Sequence, residues 1–326
     1  MKQTWLKQTA AWAAAGALML APAVGSANDK EPLKVVASFS ILADMVHQVG
    51  GDHVQVHSLI GPDADAHVFD PTPADAKALA QADVVVINGL GFEGWIDRLV
   101  KSSGFKGKLV VATTGIEPIK ASAHGHSHGH SHGHSHGRKH SHGHSHGHDH
   151  GDYDPHAWQD LSNGAIYVKN IRDALMQLRP AAAQAIESRA NAYLIQIDEL
   201  DALTRQRMAE IPKAERRVVS SHGAFDYFAK AYDVDFFSLQ GVSTDREVSA
   251  KEVAKLIRDI KKDDIKALFV ENMSDPRLLE RVSEETGVRI GGELYSDALS
   301  PPGTPGDTYL KMFAHNVELI WSTLMQ

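Results

Sequence analysis

Histidine stands out in this chain of 326 residues, which carries 20 of them and no cysteine. Any metal ligands must therefore be nitrogen or oxygen, and imidazole suits zinc, copper, nickel and iron. Thirteen histidines lie in one low-complexity run from Ala121 to Gly151: His124, His126, His128, His130, His132, His134, His136, His140, His142, His144, His146, His148 and His150. They alternate with Gly and Ser, so the run cannot pack a core and reads as a disordered inserted loop. It offers many interchangeable, weak, multidentate metal sites. An expression tag does not fit a run that is internal, long and interrupted by Arg138-Lys139. A mere spacer is the plainer alternative, which glutamate or serine would serve as well.

A defined site must come from the other seven histidines. His47, His53, His57 and His315 fall within or at the ends of expected helices and strands, and read as surface or internally satisfied residues. His67 follows Gly61-Pro62-Asp63-Ala64-Asp65-Ala66, after an expected strand. His156 lies in Asp154-Pro155-His156-Ala157-Trp158, just past the loop. His222 ends Val218-Val219-Ser220-Ser221 and leads into a helix starting near Gly223-Ala224-Phe225. Ligands of open α/β sheets bind at the carboxyl ends of strands, where these three histidines sit. Ligand imidazoles must be neutral, so protons should compete with metal below about pH 6.5.

The elements that must position them follow from periodicity. Lys34–Ala37, Val54–Ile60, Val84–Ile87 and Leu109–Ala112 read as strands, with Thr72 capping a helix that has Pro73 in its first turn. The rhythm returns with strands at Arg217–Ser221, Val234–Phe237, Ala267–Val270 and Val288–Ile290. A capping box at Ser249-Ala250-Lys251-Glu252 opens a helix with Val253, Leu256, Ile257 and Ile260 on its apolar face. The last helix shows Leu310, Phe313, Val317, Ile320 and Leu324. Between the two halves, Pro180 to Ile211 has no glycine and carries a stripe of Ile186, Tyr193, Ile197, Leu200 and Leu203. That predicts one helix of about 30 residues, ~45 Å long. The expected fold is α/β: two lobes, each a mostly parallel sheet flanked by helices, joined by one long central helix. The alternative is a long surface helix of a single larger domain.

Lys2 and Lys7, the apolar Ala10–Ala21 and the small residues Val24-Gly25-Ser26-Ala27 predict a signal peptide cleaved after Ala27, the apolar stretch being short of the ~20 residues needed to span a membrane. The expected division is 1–27 signal peptide, 28–179 first lobe containing the loop 121–151, 180–211 linking helix and 212–326 second lobe. The composition excludes collagen, a disulfide miniprotein and a mostly disordered chain. A net charge of -8 gives no nucleic-acid footprint. With no cysteine to acylate, the expectation is a freely soluble periplasmic protein rather than a lipoprotein.

Four motifs in order carry a resemblance over nearly the whole mature chain: residues 61–71, Asp154-Pro155-His156-Ala157-Trp158, Ser221-His222-Gly223-Ala224-Phe225, and Leu294-Tyr295-Ser296-Asp297-Ala298-Leu299. The sequence resembles the metal-binding receptors of bacterial ABC importers (solute-binding proteins of cluster A-I), the class containing ZnuA and its AztC-type relatives. The resemblance implies that His67 and His156 from the first lobe and His222 and Asp297 from the second clamp a metal in the cleft between them. Three histidines and a carboxylate make a closed tetrahedral zinc set. In manganese-selective relatives the third position is typically glutamate, so His222 favours zinc. Copper or nickel could bind as tightly in vitro. By itself Asp297 reads as a turn or cap residue; only the resemblance makes it a ligand. Glu271, after the strand Ala267–Val270, is expected to accept a hydrogen bond from a ligand imidazole and fix its tautomer, against the plainer reading of a cap or surface ion pair.

The expected function is a zinc-binding component of an ABC importer, with Zn(II) as cargo and an inner-membrane permease and its ATPase as partners. A periplasmic zinc chaperone is a further candidate partner, and the family expectation is a monomer. A manganese or other divalent-metal receptor is the alternative. A zinc buffer, an adhesin and a zinc hydrolase are weaker rivals, the hydrolase because neither HExxH nor GxSxG occurs.

Overall fold

The computed structural model describes residues 31–121 and 152–326. The expected signal peptide and all thirteen loop histidines therefore lie outside the described residues. The first lobe has strands β1 (Leu33–Phe39), β2 (Val54–Ile60), β3 (Val84–Ile87) and β4 (Lys108–Val111), all parallel in the order β2-β1-β3-β4. The second repeats that order as β6-β5-β7-β8, from β5 (Arg217–Ser220), β6 (Asp235–Ser238), β7 (Ala267–Glu271) and β8 (Ile290–Leu294). All four residues of β3 are buried, which is why Val84–Ile87 is apolar throughout rather than alternating.

Helices α1 (Ser40–Gly50), α2 (Pro73–Ala80), α3 (Ile96–Ser103) and α4 (Leu161–Leu178) belong to the first lobe, and α6 (Asp226–Tyr232), α7 (Ala250–Lys262), α8 (Arg277–Thr286) and α9 (Tyr309–Leu324) to the second. Both expected caps form, each as a reciprocal box: Thr72 with Asp75 and Ser249 with Glu252. The joining helix, α5, runs over Ala183–Glu210 after a 3-10 turn at Pro180–Ala182. Its buried stripe is Ile186, Ala190, Tyr193, Ile197, Thr204 and Met208, whereas Leu203 is 45% exposed.

The last strand departs from expectation. It begins at Ile290, not Val288, and continues through Gly291-Gly292 to Leu294. Two glycines read locally as a break, yet here they accommodate an irregularity in the pairing opposite Leu268/Phe269. Gly292 has φ 142, and a Cβ on Gly291 would stand 2.6 Å from the Phe269 ring.

The hydrophobic core does not divide at the lobe boundary. One cluster runs from Val35, Phe39 and Trp158 through Ile186 on α5 to Phe225, Phe228, Phe236 and Phe313 of the second lobe. A smaller cluster, including Val219, Leu256, Leu268 and Val282, lies in the second lobe alone.

Candidate metal centre

Four strand ends, those of β2, β5, β7 and β8, and one short 3-10 turn deliver the pieces of the site. His222 follows β5 by two residues, and Glu271 is the last residue of β7, the strand paired with β5. Adjacency of those strands explains why the Glu271 carboxylate accepts both the His222 backbone N–H (2.9 Å) and, at 2.6 Å, its Nδ1–H. Asp297 lies three residues past β8. His156 opens a short 3-10 turn, and the Asp154 carboxylate accepts its backbone N–H (2.9 Å) and its Nδ1–H (2.6 Å). His67 stands on the loop after β2, where its N–H donates to Asp65 Oδ1 at 2.9 Å. That loop is tied to the second lobe: Thr244 donates to Asp65 Oδ2 (2.6 Å) and Asn272 to Asp63 Oδ1 (2.8 Å).

With Nδ1 of His156 and of His222 committed to a carboxylate, each Nε2 presents a lone pair, and the two Nε2 atoms face each other 3.4 Å apart. Asp297 Oδ2 lies 3.1 Å from Nε2 of both His67 and His222, and Oδ1 lies 3.5 Å from His156 Nε2. Donor atoms of all four residues fall within 4.8 Å of one another. Tetrahedral bonds of about 2.0–2.1 Å would put donors about 3.3 Å apart, so the spacing is that of a four-coordinate site. His67 Nε2 and both Asp297 oxygens are buried with only one another and the other two imidazoles as polar neighbours, an arrangement expected where a cation completes the cluster.

His156, His222, Glu271 and Asp297 are fully buried, and His67 nearly so. Phe92 packs edge-on against His67 (5.2 Å) and against Trp158 (5.0 Å), walling off the first-lobe side with apolar rings. Burial disfavours charge on every member, but the outcome differs by neighbour. For His156 the carboxylates of Asp297 and Asp154 outweigh burial, and its pKa is raised to about 9. For His222, Glu271 and Asp297 likewise outweigh burial, and its pKa rises well above the usual value. Burial wins at His67, whose pKa is lowered. Asp297 is held well below the ordinary carboxylate range, His156 and His222 overcoming its burial. The expected competition by protons below about pH 6.5 therefore moves upward for two of the three imidazoles.

The four residues expected as ligands, and Glu271 beside one of them, are thus brought together. His47 and His57 are exposed, His53 is half-buried, and His315 bonds the Glu293 carbonyl at 3.0 Å. Asp154 was visible in its motif but had no role there; its signal is an Asp two residues before a ligand histidine. Trp158, Gln159 and Ser296, which also bear on the site, gave no signal. The base of the histidine-rich loop is close by: Lys120 pairs antiparallel with Tyr153, and Tyr227 of the second lobe accepts from Ile119 N–H (3.1 Å) and donates to the Asp154 carbonyl (3.0 Å).

A family model described as "zinc-uptake complex component A periplasmic" matches residues 35–322. The manganese-binding lipoprotein MntA of Halalkalibacterium halodurans is 32% identical over 303 residues, 93% of this chain and 92% of that protein. The iron ABC transporter substrate-binding lipoprotein MtsA of Streptococcus pyogenes is 32% identical over 296 residues, 89% of this chain and 88% of that one. Among solved structures, the periplasmic zinc binding protein TroA from Treponema pallidum is 30% identical, with a TM-score of 0.78 over 90% of this chain and 99% of that one. These descriptions name manganese and iron as well as zinc, so they carry a divalent-metal receptor and not zinc selectivity. They also overturn the expectation of a freely secreted periplasmic protein that is not a lipoprotein, because the curated relatives are lipoproteins. That expectation leaned on an absence, that of cysteine, whereas the relatives carry a positive description.

Proposed function

Because the chain belongs to the zinc-uptake component A family, the metal-binding substrate-binding proteins of ABC importers, we propose that His67, His156, His222 and Asp297 hold its divalent-metal cargo between the lobes. The family is non-catalytic, and membership implies a cognate permease and ATPase. The observation that carries the reading is the set of four converging donor atoms, two of them on imidazoles oriented by buried carboxylates. Three nitrogens and one carboxylate suit zinc best. A second reading, manganese or iron, is favoured by the relatives' descriptions and by both Asp297 oxygens facing the centre, which would allow a further oxygen ligand. In either case the histidine-rich run serves as an accessory collector that supplies the cleft.

The test is chelator-competition titration of metal-free protein with Zn2+ and Mn2+, on the full chain and on His222→Ala and Asp297→Ala. The reading expects one tight ion per chain, lost with His222 and weakened with Asp297, with zinc bound more tightly than manganese. Tighter manganese binding would select the second reading. Tight binding that survives both substitutions would refute the cleft as the site.

A further inference from the structure

Asp297 differs from the other three donors in how it is aimed. Nδ1 of His156 and of His222 is fixed by a carboxylate, and the His67 backbone by Asp65. Both oxygens of Asp297 face only its fellow donors, the three imidazoles, so any aiming that does not depend on them comes from its own backbone. The peptide preceding it is held from both lobes. The Ser296 carbonyl accepts from Trp158 Nε1 and from Gln159 Nε2, each at 2.9 Å, which engages both of its lone pairs. Ser296 Oγ donates at 2.6 Å to Glu271 Oε2, the same oxygen that takes His222 Nδ1–H. Tyr309 in turn donates to the Trp158 carbonyl at 2.6 Å. Trp158, Gln159 and Ser296 are all fully buried, where such bonds are strong and their loss is costly.

A carbonyl held by two donors cannot rotate about its peptide plane, and that plane carries the N–H of Asp297. It therefore fixes the N–Cα bond from which the Asp297 side chain starts, in an arrangement that leaves one oxygen between His67 and His222 and the other toward His156. We propose that Trp158, Gln159 and Ser296 are positioning residues that hold the Asp297 carboxylate with both oxygens toward the cleft centre, and so set how many oxygens it gives the metal. Held this way, it can give one oxygen to a four-coordinate ion or both to a larger, oxygen-preferring one. With the clamp loosened, the second oxygen is lost first. Zinc, satisfied by four donors, loses little; manganese loses more. This rests on the cleft being the metal site.

The experiment uses the full chain with Co2+ as spectroscopic probe and Zn2+ and Mn2+ in chelator competition. Gln159→Met removes one clamp donor while keeping an unbranched, flexible side chain of similar volume. Ser296→Ala removes the link to Glu271. Ile186→Ala on α5, remote from the site, controls for destabilisation alone. In both clamp variants the Co2+ ligand-field bands should change in position or intensity, and manganese affinity should fall ~10-fold more than zinc affinity, while the control moves neither readout. Equal losses for the two metals, or none, with unmoved Co2+ bands would overturn the clamp. Absence of a tightly bound Co2+ in the unsubstituted chain would instead remove the metal site itself, and the clamp with it. If Ser296→Ala does not fold, Gln159→Met decides alone, since its Oε1 has no partner to lose.

Discussion

Metal binding should be coupled to the release of about two protons. The site gathers three carboxylates, Asp154, Glu271 and Asp297, around three imidazoles in a fully buried cluster open only at His67. With every imidazole neutral it would hold three buried negative charges, at several kcal/mol each even after relaxation. Protons on His156 and His222 reduce the net charge to one, and their raised pKa values, about 9 for His156, express that preference. A divalent cation replaces two protons at unchanged charge. Between pH 7 and pH 8 the affinity should therefore rise ~100-fold, or about 3 kcal/mol at ~1.4 kcal/mol per proton and pH unit. Imidazoles titrating near ~6.5 would give an affinity nearly flat above about pH 7.5. Calorimetry at pH 7.5 in buffers of different ionisation enthalpy counts the protons, and chelator competition at pH 7 and 8 gives the slope. Proton release near zero with a flat affinity would refute the reasoning. The same shift makes the metal-free protein lose stability with rising pH. The His156 contribution is complete below about pH 6.5 and disappears as pH passes about 9, up to about 3 kcal/mol in all. A metal-free melting temperature that climbs over that range contradicts it.

Glu271→Gln removes the charge behind His222 and should weaken metal binding ~10–100-fold while lowering proton release by about one; weaker binding with unchanged release would leave Glu271 without its assigned part. Replacing residues 122–151 by a two-residue Asn-Gly turn should leave the cleft affinity nearly intact, because Ala121 N–H already donates to the Asp152 carbonyl at 3.1 Å across the neck. Loading from scarce zinc should slow in that variant, and an unchanged stopped-flow rate removes the collecting role. Ile186→Ala, at a fully buried position on α5, should cost ~2–5 kcal/mol in urea denaturation, and a loss under about 1 kcal/mol would mean the helix is loosely seated.

Local chemistry made much of this protein legible. The β-branched runs, the Thr72 and Ser249 caps and the glycine-free stretch before Ile211 specify strands, caps and a long helix, because each depends on neighbours within a few residues. His67, His156 and His222 were marked by their places past strands and turns. Asp297 was another matter: a carboxylate after Tyr-Ser resembles any turn residue until β8 carries it opposite three imidazoles. The strand was expected to end at Ile290, before Gly291-Gly292, because the ring that crowds Gly291, Phe269, belongs to a neighbouring strand. Asp154 left only the faint signal of an acid two residues before a histidine, and Trp158, Gln159 and Ser296 gave none, since their importance consists in hydrogen bonds that cross from residues 158 and 159 to residue 296. The direction of each histidine's titration was equally hidden. Spacing along the chain sets which element a residue joins, but burial and the distance to a facing carboxylate arise only when separate strands are packed edge to edge. Those two quantities decide whether an imidazole holds a proton or gives up its place to a metal.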